Sequence, residues 1–321
     1  MAGVTFTEEI SDIFATTLRH IRPTIVDNFF NSRALFVRLY ERKKILLDGG
    51  RQIQQDILVD KPPAGSYGRG DELDISKKNI LSALIFNWGQ YYSAVTADGL
   101  DEVQNAGAAQ VMNLAKIRLE AARNAVEDVI GDDLFGDGTT NNAKGIVGLK
   151  AAIDDGTNVG SYGGIARAAT GTGNLIKGVV NTTGGAVSLD LLTSLMMQAT
   201  RGLARPDLIC TTRTLWGKIH DRLQPSQRFP STERGQRLAN AGFEVLQYMG
   251  AEIVYDDKVP SGEMYVLNTN TISFYIHTAK NFVIDGPHTP ANADQKTWRI
   301  FIACQMACDN CRLNARASGL S

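Results

Sequence analysis

Apolar residues recur along this chain with two different periods. Between residues 101 and 130 an apolar or small residue stands at every third or fourth position, which is typical of a helix. Such a helix would be about 45 Å long, well above the mean length, so we predict a structural spine that ends at Gly131. Its apolar and small positions are Val103, Gly107, Val111, Leu114, Ile117, Ala121, Ala125 and Val129.

A period of two begins at Arg51 and predicts a long hairpin whose strands have one apolar face. From Arg51 to Lys61 the first strand would reach about 33 Å, yet an isolated hairpin is only marginally stable in water. A third partner is therefore needed, and it is either a later strand of the same chain or a neighbouring subunit. The alternating positions are Ile53, Gln55, Ile57, Val59, Tyr67, Leu73 and Ile75, with a break at Pro62, Pro63, Ala64 and Gly65.

The segment before this hairpin is predicted to form an arm. Residues 6–30 have apolar positions at helical spacing until Pro23 interrupts them, which predicts one helix. Residues 33–44 then carry five positive charges before Gly49 and Gly50 break the pattern. This charge run is either a solvated face or a contact surface.

The second half of the chain predicts a mixed α and β module. Glycine, Thr and Asn are concentrated between residues 131 and 185, and this shift in composition marks a domain boundary. Aromatic residues at 86–92 predict a buried strand before the spine. Beyond the boundary we predict helices at 188–201 and 214–223, strands at 207–211, 251–255, 264–267 and 273–277, and one or two strands within 297–315.

Composition excludes several classes of protein. The 321 residues include 33 Lys and Arg against 34 Asp and Glu, so no strongly basic surface for nucleic acid is indicated. No run approaches the roughly 18 apolar residues of a membrane span, and the N-terminus lacks a signal-peptide pattern. We expect a protein that is made and used in a cytosol-like environment, with its four cysteines reduced.

Glycine-rich loops around Lys144 and Gly171 do not match nucleotide-binding motifs. A phosphate-binding loop needs Gly before its Lys and Ser or Thr after it, whereas Ala143 and Gly145 stand there. Near Gly171 and Gly173 the third glycine of a dinucleotide motif is missing. His20, His220, His277 and His288 fall in no metal-ligand or nucleophile motif, so we predict no catalytic site and no enzyme.

Cys304, Cys308 and Cys311 form the one specific-looking constellation. Their spacing matches the motif with which radical-SAM enzymes hold three irons of a cluster, so an iron–sulfur enzyme is an alternative. That motif precedes most of its domain, whereas only residues 312–321 follow Cys311. We interpret the three as core cysteines, and in a strand Cys304 and Cys308 would share a face while Cys311 points away.

Several short stretches in order along the chain resemble one family. They are 32–39, 49–53, 66–67 with 71–76, 86–90, 95–107, 134–149, 242–251 and 264–269. Together they are similar to the major capsid proteins of tailed double-stranded DNA bacteriophages, the Hong Kong 97-like capsid fold that is also seen in encapsulins. Two features depart from the family: Arg69-Gly70 stands where an aromatic residue is expected beside Asp71, and the clustered cysteines are unusual.

The resemblance implies an α+β Hong Kong 97-like fold with four parts. These are an N-terminal arm (1–48), an extended loop formed by the hairpin (49–80), a peripheral domain (81–148 and 268–321) with the spine helix at 101–130, and an axial domain (149–267). It also implies that the hairpin lies over a neighbouring subunit. Our candidates for subunit contacts are Arg33, Arg38, Arg42, Arg51, Ile53, Ile57, Lys61, Tyr67, Arg69 and Asp71.

For function, the resemblance implies self-assembly into hexamers and pentamers of an icosahedral shell that encloses double-stranded DNA in the virion. Expected partners are other copies of the chain, a separate scaffolding protein, a portal protein at one vertex, a decoration protein, and packaged DNA held non-specifically. Assembly would take place in the host cytoplasm, with no cofactor and no membrane. The alternative within the same fold is an encapsulin-like compartment that contains cargo enzyme.

Overall fold

The computed structural model describes residues 33–99, 114–169, 172–223, 246–290 and 294–321. The helices are α1 (Ala34–Arg42), α2 (Leu114–Leu134), α3 (Leu149–Ala152), α4 (Thr172–Leu175), α5 (Leu189–Ala199) and α6 (Arg213–Leu223). Thr140–Ala143 forms one turn with left-handed backbone angles. Short 3-10 helices lie at Thr269–Thr271, Thr278–Lys280 and Cys311–Leu313.

The strands form two large sheets and two small ones. They are β1 (Lys44–Leu47), β2 (Gln52–Leu58), β3 (Leu81–Asn87), β4 (Gly89–Asp98), β5 (Ser161–Tyr162), β6 (Ile165–Ala166), β7 (Val179–Asn181), β8 (Leu208–Thr211), β9 (Leu246–Tyr248), β10 (Ala251–Tyr255), β11 (Met264–Leu267), β12 (Ile272–His277), β13 (Val283–His288), β14 (Gln295–Cys308) and β15 (Ala315–Ala317).

The five-stranded sheet is built around β14. Strand β4 pairs antiparallel with it from Gln295 to Cys304. Strands β13 and β12 pair in succession with its other edge, and β1 lies parallel to β12. Because β14 is hydrogen-bonded on both edges, it holds the sheet together.

The six-stranded sheet has the order β7-β15-β11-β8-β10-β9. Alternate residues of β8 and β11 face two different cores: Ile209 and Val266 pack with α5 and α6, whereas Leu208 and Leu267 pack toward the five-stranded sheet. Helix α5 begins where Ser188 Oγ accepts a hydrogen bond of 3.1 Å from the backbone N–H of Leu191.

Two short crossovers connect the two large sheets. One joins β11 to β12 through residues 268–271, and the other joins β14 to β15 through residues 309–314. The buried side chain of Asn314 links them, since it accepts from the N–H of Asn268 at 2.8 Å and donates to Thr271 Oγ1 at 3.0 Å. The N–H of Asp309 also donates to the carbonyl of Thr271 at 2.9 Å. The crossovers therefore form one hydrogen-bonded unit.

Helix α2 confirms a long helix in the described part of the predicted spine, but two details of the prediction are wrong. Its buried stripe is Ala122, Val126, Ile130 and Leu134, whereas Val129 is half exposed. The alanines could not show which stripe faces inward, because both stripes contain them. The helix also continues past Gly131, where the side chain of Lys258 packs closely and pairs with Asp128 and Asp132 at 3.8 and 3.2 Å.

Most elements predicted beyond residue 185 are confirmed within about two residues. The tail forms two strands, as predicted. The arm helix at 6–30 and residues 101–113 of the spine lie outside the described residues, so those predictions are not tested here.

The returning strand of the hairpin is misplaced in the prediction. Strand β2 pairs with β3, from Gln52 opposite Asn87 to Leu58 opposite Leu81, and residues 59–80 contain no strand. Alternation alone favoured residues 67–75, but the sequence of β3 is apolar on both sides and gave no clear period of two.

The domain division stays a prediction, and the strand pairings of three segments cross its bounds. Strand β1, within the predicted arm, pairs with β12 of the five-stranded sheet. Strand β3 belongs to the hairpin. Strand β15 belongs to the six-stranded sheet, because Ala315–Ala317 pairs with β11.

Candidate interaction surfaces

The base of the hairpin is part of the core of its own chain. Ile53, Leu84 and Phe86 are buried on its inner face, and the ring of Phe86 lies 5.1 Å from that of Tyr162 at an angle of 64°. The N–H of Ile85 donates to the carbonyl of Gly163 at 3.0 Å, and the amide of Gln55 donates to the carboxylate of Asp309. Later segments of the same chain therefore support the base of the hairpin. This is the first of the two alternatives given by the sequence, a partner in the same chain rather than a neighbouring subunit.

Arg167 holds the segment that supports the base. Its side chain is 1% exposed and donates to the carbonyls of Ile176, Val159, Ala151 and Ala152 at 2.6 to 3.1 Å. Its guanidinium lies 5.6 Å from the ring centre of Tyr162. Two of these carbonyls end α3, where a cation is favourable. The glycine-rich stretch is thereby fixed beneath the hairpin.

The far end of the hairpin is uncovered. Leu58 and Leu81, which end the paired region, are 72% and 65% exposed, and in the loop Tyr67, Leu73 and Ile75 are 75%, 61% and 91% exposed. Large apolar patches left in water are typical of interaction sites. A turn at Arg69 and Gly70, with φ of 95° at Gly70, stands where the chain departs from the family pattern.

The ten predicted contact residues divide into two groups. Arg42, Arg51, Lys61, Tyr67, Arg69 and Asp71 are exposed, as a contact requires. Ile53 is a correction: it is 2% exposed because Phe86 stands opposite it on the buried face of the hairpin. Ile57 is partly buried against the same core.

Arg33 and Arg38 use their charges within the chain. Arg33 pairs with Glu127 at 3.0 Å and Asp128 at 3.5 Å on α2, and Arg38 pairs with Glu252 on β10 at 2.6 Å. A depression of about 320 Å³ follows the exposed side of α1 next to them. Their main role in the structure is therefore to fix α1.

Asp256 completes the anchoring of α1 from β10. Its two carboxylate oxygens accept from the N–H groups of Leu35 and Lys258 at 3.0 and 2.9 Å. Burial raises the pKa of this carboxyl. The first helix is thus fixed to α2 and to the six-stranded sheet.

The cysteines are core residues, as interpreted from the sequence. Cys304, Cys308 and Cys311 are buried as free thiols. Cys311 does not point away, however, because it begins a 3-10 helix, and its hydrogen bond with Cys308 together with burial raises the pKa of the Cys308 thiol. Within the described ranges no group of three metal-ligating side chains occurs, and none of the helices described there has the length and apolarity to cross a membrane.

Sequence reasoning missed Leu58 and Leu81 at the hairpin end, as well as Ile45 and Leu46 on β1, all of which are exposed. Leu73 and Ile75 were found as a pattern but not chosen as contacts. The alternation of Leu73 and Ile75 with polar residues was the signal that could have identified them as contact residues.

The chain matches no family model and no curated protein. Solved structures with a similar fold include the Cyanophage A-1(L) capsid asymmetric unit, with a TM-score of 0.70 and 14% identity over 95% of this chain and 98% of that one. The capsid of a native GTA particle gives 0.68 and 8% over 96% of each chain. The SrpI encapsulin of Synechococcus elongatus PCC 7942 gives 0.63 and 10% over 97% and 95%. The chain therefore has the fold of tailed-phage capsids and encapsulins, which confirms the predicted fold class.

Proposed function

We propose that this chain, with its capsid fold, is the major coat protein of a tailed phage. Copies form hexamers and pentamers that close into an icosahedral shell around double-stranded DNA. The chain acts through surfaces and has no catalytic role. Its location is the virion, after assembly in the host cytoplasm.

The uncovered end of the hairpin carries this proposal. Burial of one large apolar side chain contributes about 1.5–3 kcal/mol, so several at each contact favour association strongly. Each copy would present the same hairpin to the next copy, and repeated contacts of this kind close into symmetric assemblies. Other copies of the chain are thus the partner that the surface fits.

Replacing residues 60–79 by Asn-Gly tests the proposal. The N–H of Val59 donates to the carbonyl of Ile80 at 3.0 Å, so these two residues form a hydrogen-bonded pair that a two-residue turn can close without changing the base of the hairpin. We expect folded subunits with an unchanged unfolding transition that form no closed shells in negative-stain electron microscopy. Gln54→Ser, on the exposed face of β2, serves as a control that should still assemble. Intact shells from the shortened hairpin would refute the proposal.

The encapsulin likeness supports one alternative, a compartment that holds a cargo enzyme. Particles purified after expression with the neighbouring genes distinguish the two functions by their contents. Double-stranded DNA in closed particles supports the coat protein, whereas a packaged protein without DNA supports the compartment.

The coat-protein proposal includes further partners. A separate scaffolding protein would guide assembly, a portal protein would occupy one vertex, and a decoration protein would bind the outside. Packaged DNA would be held without sequence preference through local contacts of Lys and Arg with phosphates, because the net charge of the chain is nearly zero. Co-purification from infected cells, followed by mass spectrometry, would identify these proteins.

A further inference from the structure

We infer that residues 71–77 of one subunit add as a parallel strand to the free edge of β1 in a second copy. This inference rests on the proposed function, because it requires that two copies meet. It goes further by naming the two segments and the way in which they pair. Strand addition of this kind joins two chains by main-chain hydrogen bonds.

The acceptor is the outer edge of β1. In the described part of the chain, β1 pairs only with β12. The N–H of Phe274 donates to the carbonyl of Lys43 at 3.1 Å, so by alternation the backbone groups of Lys44 and Leu46 point away from β12. The side chains of Ile45 and Leu46 are exposed there. The edge thus offers unpaired donors and acceptors beside apolar side chains.

The donor is the part of the hairpin loop formed by residues 71–77. Leu73 and Ile75 alternate with polar residues, which is a strand pattern, yet this segment pairs with no strand of the described chain. Locally, the carboxylate of Asp74 accepts from the N–H of Ser76 at 3.0 Å. A side-chain hydrogen bond of this kind satisfies a backbone N–H that would otherwise pair with a neighbouring strand, so strand pairing can replace it. The strand predicted from the sequence is therefore completed by another copy.

Charge and apolar positions of the two segments match in a parallel register. With Ile45 opposite Leu73, the two lysines face carboxylates and Leu47 faces Ile75, whereas Leu46 faces Asp74. In its own chain Lys43 Nζ donates to Asn270 Oδ1 at 2.8 Å and Lys44 Nζ lies 4.5 Å from the ring centre of Tyr40, and neither pairs with a carboxylate among the described residues. The opposing pairs are Lys43 with Asp71, Lys44 with Glu72, Ile45 with Leu73, and Leu47 with Ile75.

Other free edges fit this donor less well. Strand β13 would place Asp285 near the acidic residues of the donor, and Pro287 has no N–H to donate. Strand β9 has only three described residues, Leu246–Tyr248. Among these three edges, β1 is the acceptor that the charges favour.

Pairing between copies also agrees with the direction of the hairpin. Its base adjoins β1, because Trp88 next to β3 contacts the ring of His277, which pairs with Leu47. Leu58 and Leu81 lie six residues further out, about 20 Å from the base. The loop therefore begins and ends about 20 Å from the base of the hairpin.

Leu46→Pro tests the backbone pairing, with Leu46→Ala as the matched control. Proline is tolerated on a strand edge whose N–H faces solvent, so the isolated subunit should fold with an unchanged unfolding transition. We expect loss of closed shells for Leu46→Pro and retained shells for Leu46→Ala, which keeps the N–H. Shells from both variants would overturn the inference. Loss of shells in both would overturn it too, since the contact would then depend on the side chain.

Charge reversal provides a second test that remains valid if Leu46→Pro fails to fold. Lys43→Glu with Lys44→Glu should abolish shells, and adding Asp71→Lys with Glu72→Lys should restore them. Absence of this rescue would overturn the parallel register. If Leu46→Pro assembles while the hairpin shortened at 60–79 does not, this inference fails and the proposed function stands.

Discussion

The two ends of the hairpin have similar sequences and opposite surroundings. At the base, Ile53, Leu84 and Phe86 are buried against Tyr162 and the segment held by Arg167. At the far end, Leu58, Leu81 and Ile75 are among the most exposed apolar residues of the described chain. The difference teaches that the alternation of apolar and polar residues defines the apolar face of a hairpin. Whether that face is buried depends on other segments that pack against it. One hairpin thus serves the core at one end and, as we propose, assembly at the other.

Phe86→Ala should have the largest effect on the stability of the subunit. It removes a buried ring that packs on Tyr162, and such truncations cost about 3–5 kcal/mol. Denaturant unfolding of isolated subunits measures the loss. Ile85→Ala, on the exposed side of β3, is the control. A loss below about 1 kcal/mol for Phe86→Ala would show that the base is not part of the core.

Arg167→Met should destabilise the base nearly as much, without touching the hairpin itself. Four carbonyl oxygens would lose a charged donor, and hydrogen bonds to charged groups contribute about 1.5–3 kcal/mol each before relaxation. We expect a net loss of about 3 kcal/mol in the free energy of unfolding. Arg167→Lys should recover only part of it, because an ammonium cannot reach all four acceptors. Unchanged stability would contradict the role assigned to Arg167.

Asp309→Asn should change the pH dependence of the base by a smaller amount. Burial raises the pKa of Asp309, and the amide of Gln55 opposes part of this rise. A carboxyl with a raised pKa in the folded chain stabilises it fully below its ordinary pKa of 3.8, and this contribution is lost as pH rises through the raised value. The unfolding free energy of the variant should therefore fall less than that of the parent between about pH 3 and about pH 7. Parallel curves would reject this assignment.

Ile75→Ser should have the smallest effect on the subunit, within about 0.5 kcal/mol, because the side chain is 91% exposed. Its effect should be on assembly, since an exposed apolar contact is lost. Comparing unfolding curves with the yield of closed shells measures both. Lowered stability with normal shells would show that the far end of the hairpin serves the subunit core and not assembly.

Local signals were sufficient for many elements of the fold. Strands β10 and β11 were predicted with their observed bounds, since each is a short apolar run between turn residues. The start of α5 was predicted at Ser188, where a hydroxyl caps the helix. These features depend only on neighbours in sequence.

The errors arose where distant segments decide. Ile53 was assigned to a subunit contact because periodicity identifies its face but not the residues that cover it. The position of strand β15 in the six-stranded sheet was not predicted, because its pairing with β11 joins residues about 50 positions apart. Arg33 and Arg38 were predicted to contact a neighbouring subunit, because their acidic partners on α2 and β10 are remote in sequence. The interaction surface could be predicted as a hairpin that includes Tyr67, but the exposure of Leu58 and Leu81 could not.

The two crossovers between the large sheets have a mechanical consequence. A force that separates the sheets is shared by two covalent segments, 268–271 and 309–314, that are fastened together by the amide of Asn314. Neither segment can lengthen without breaking the buried hydrogen bonds of Asn314. The load is therefore spread over both segments. The two linked crossovers thus resist tension together, which suits the proposed role of the chain as part of the wall of a filled shell.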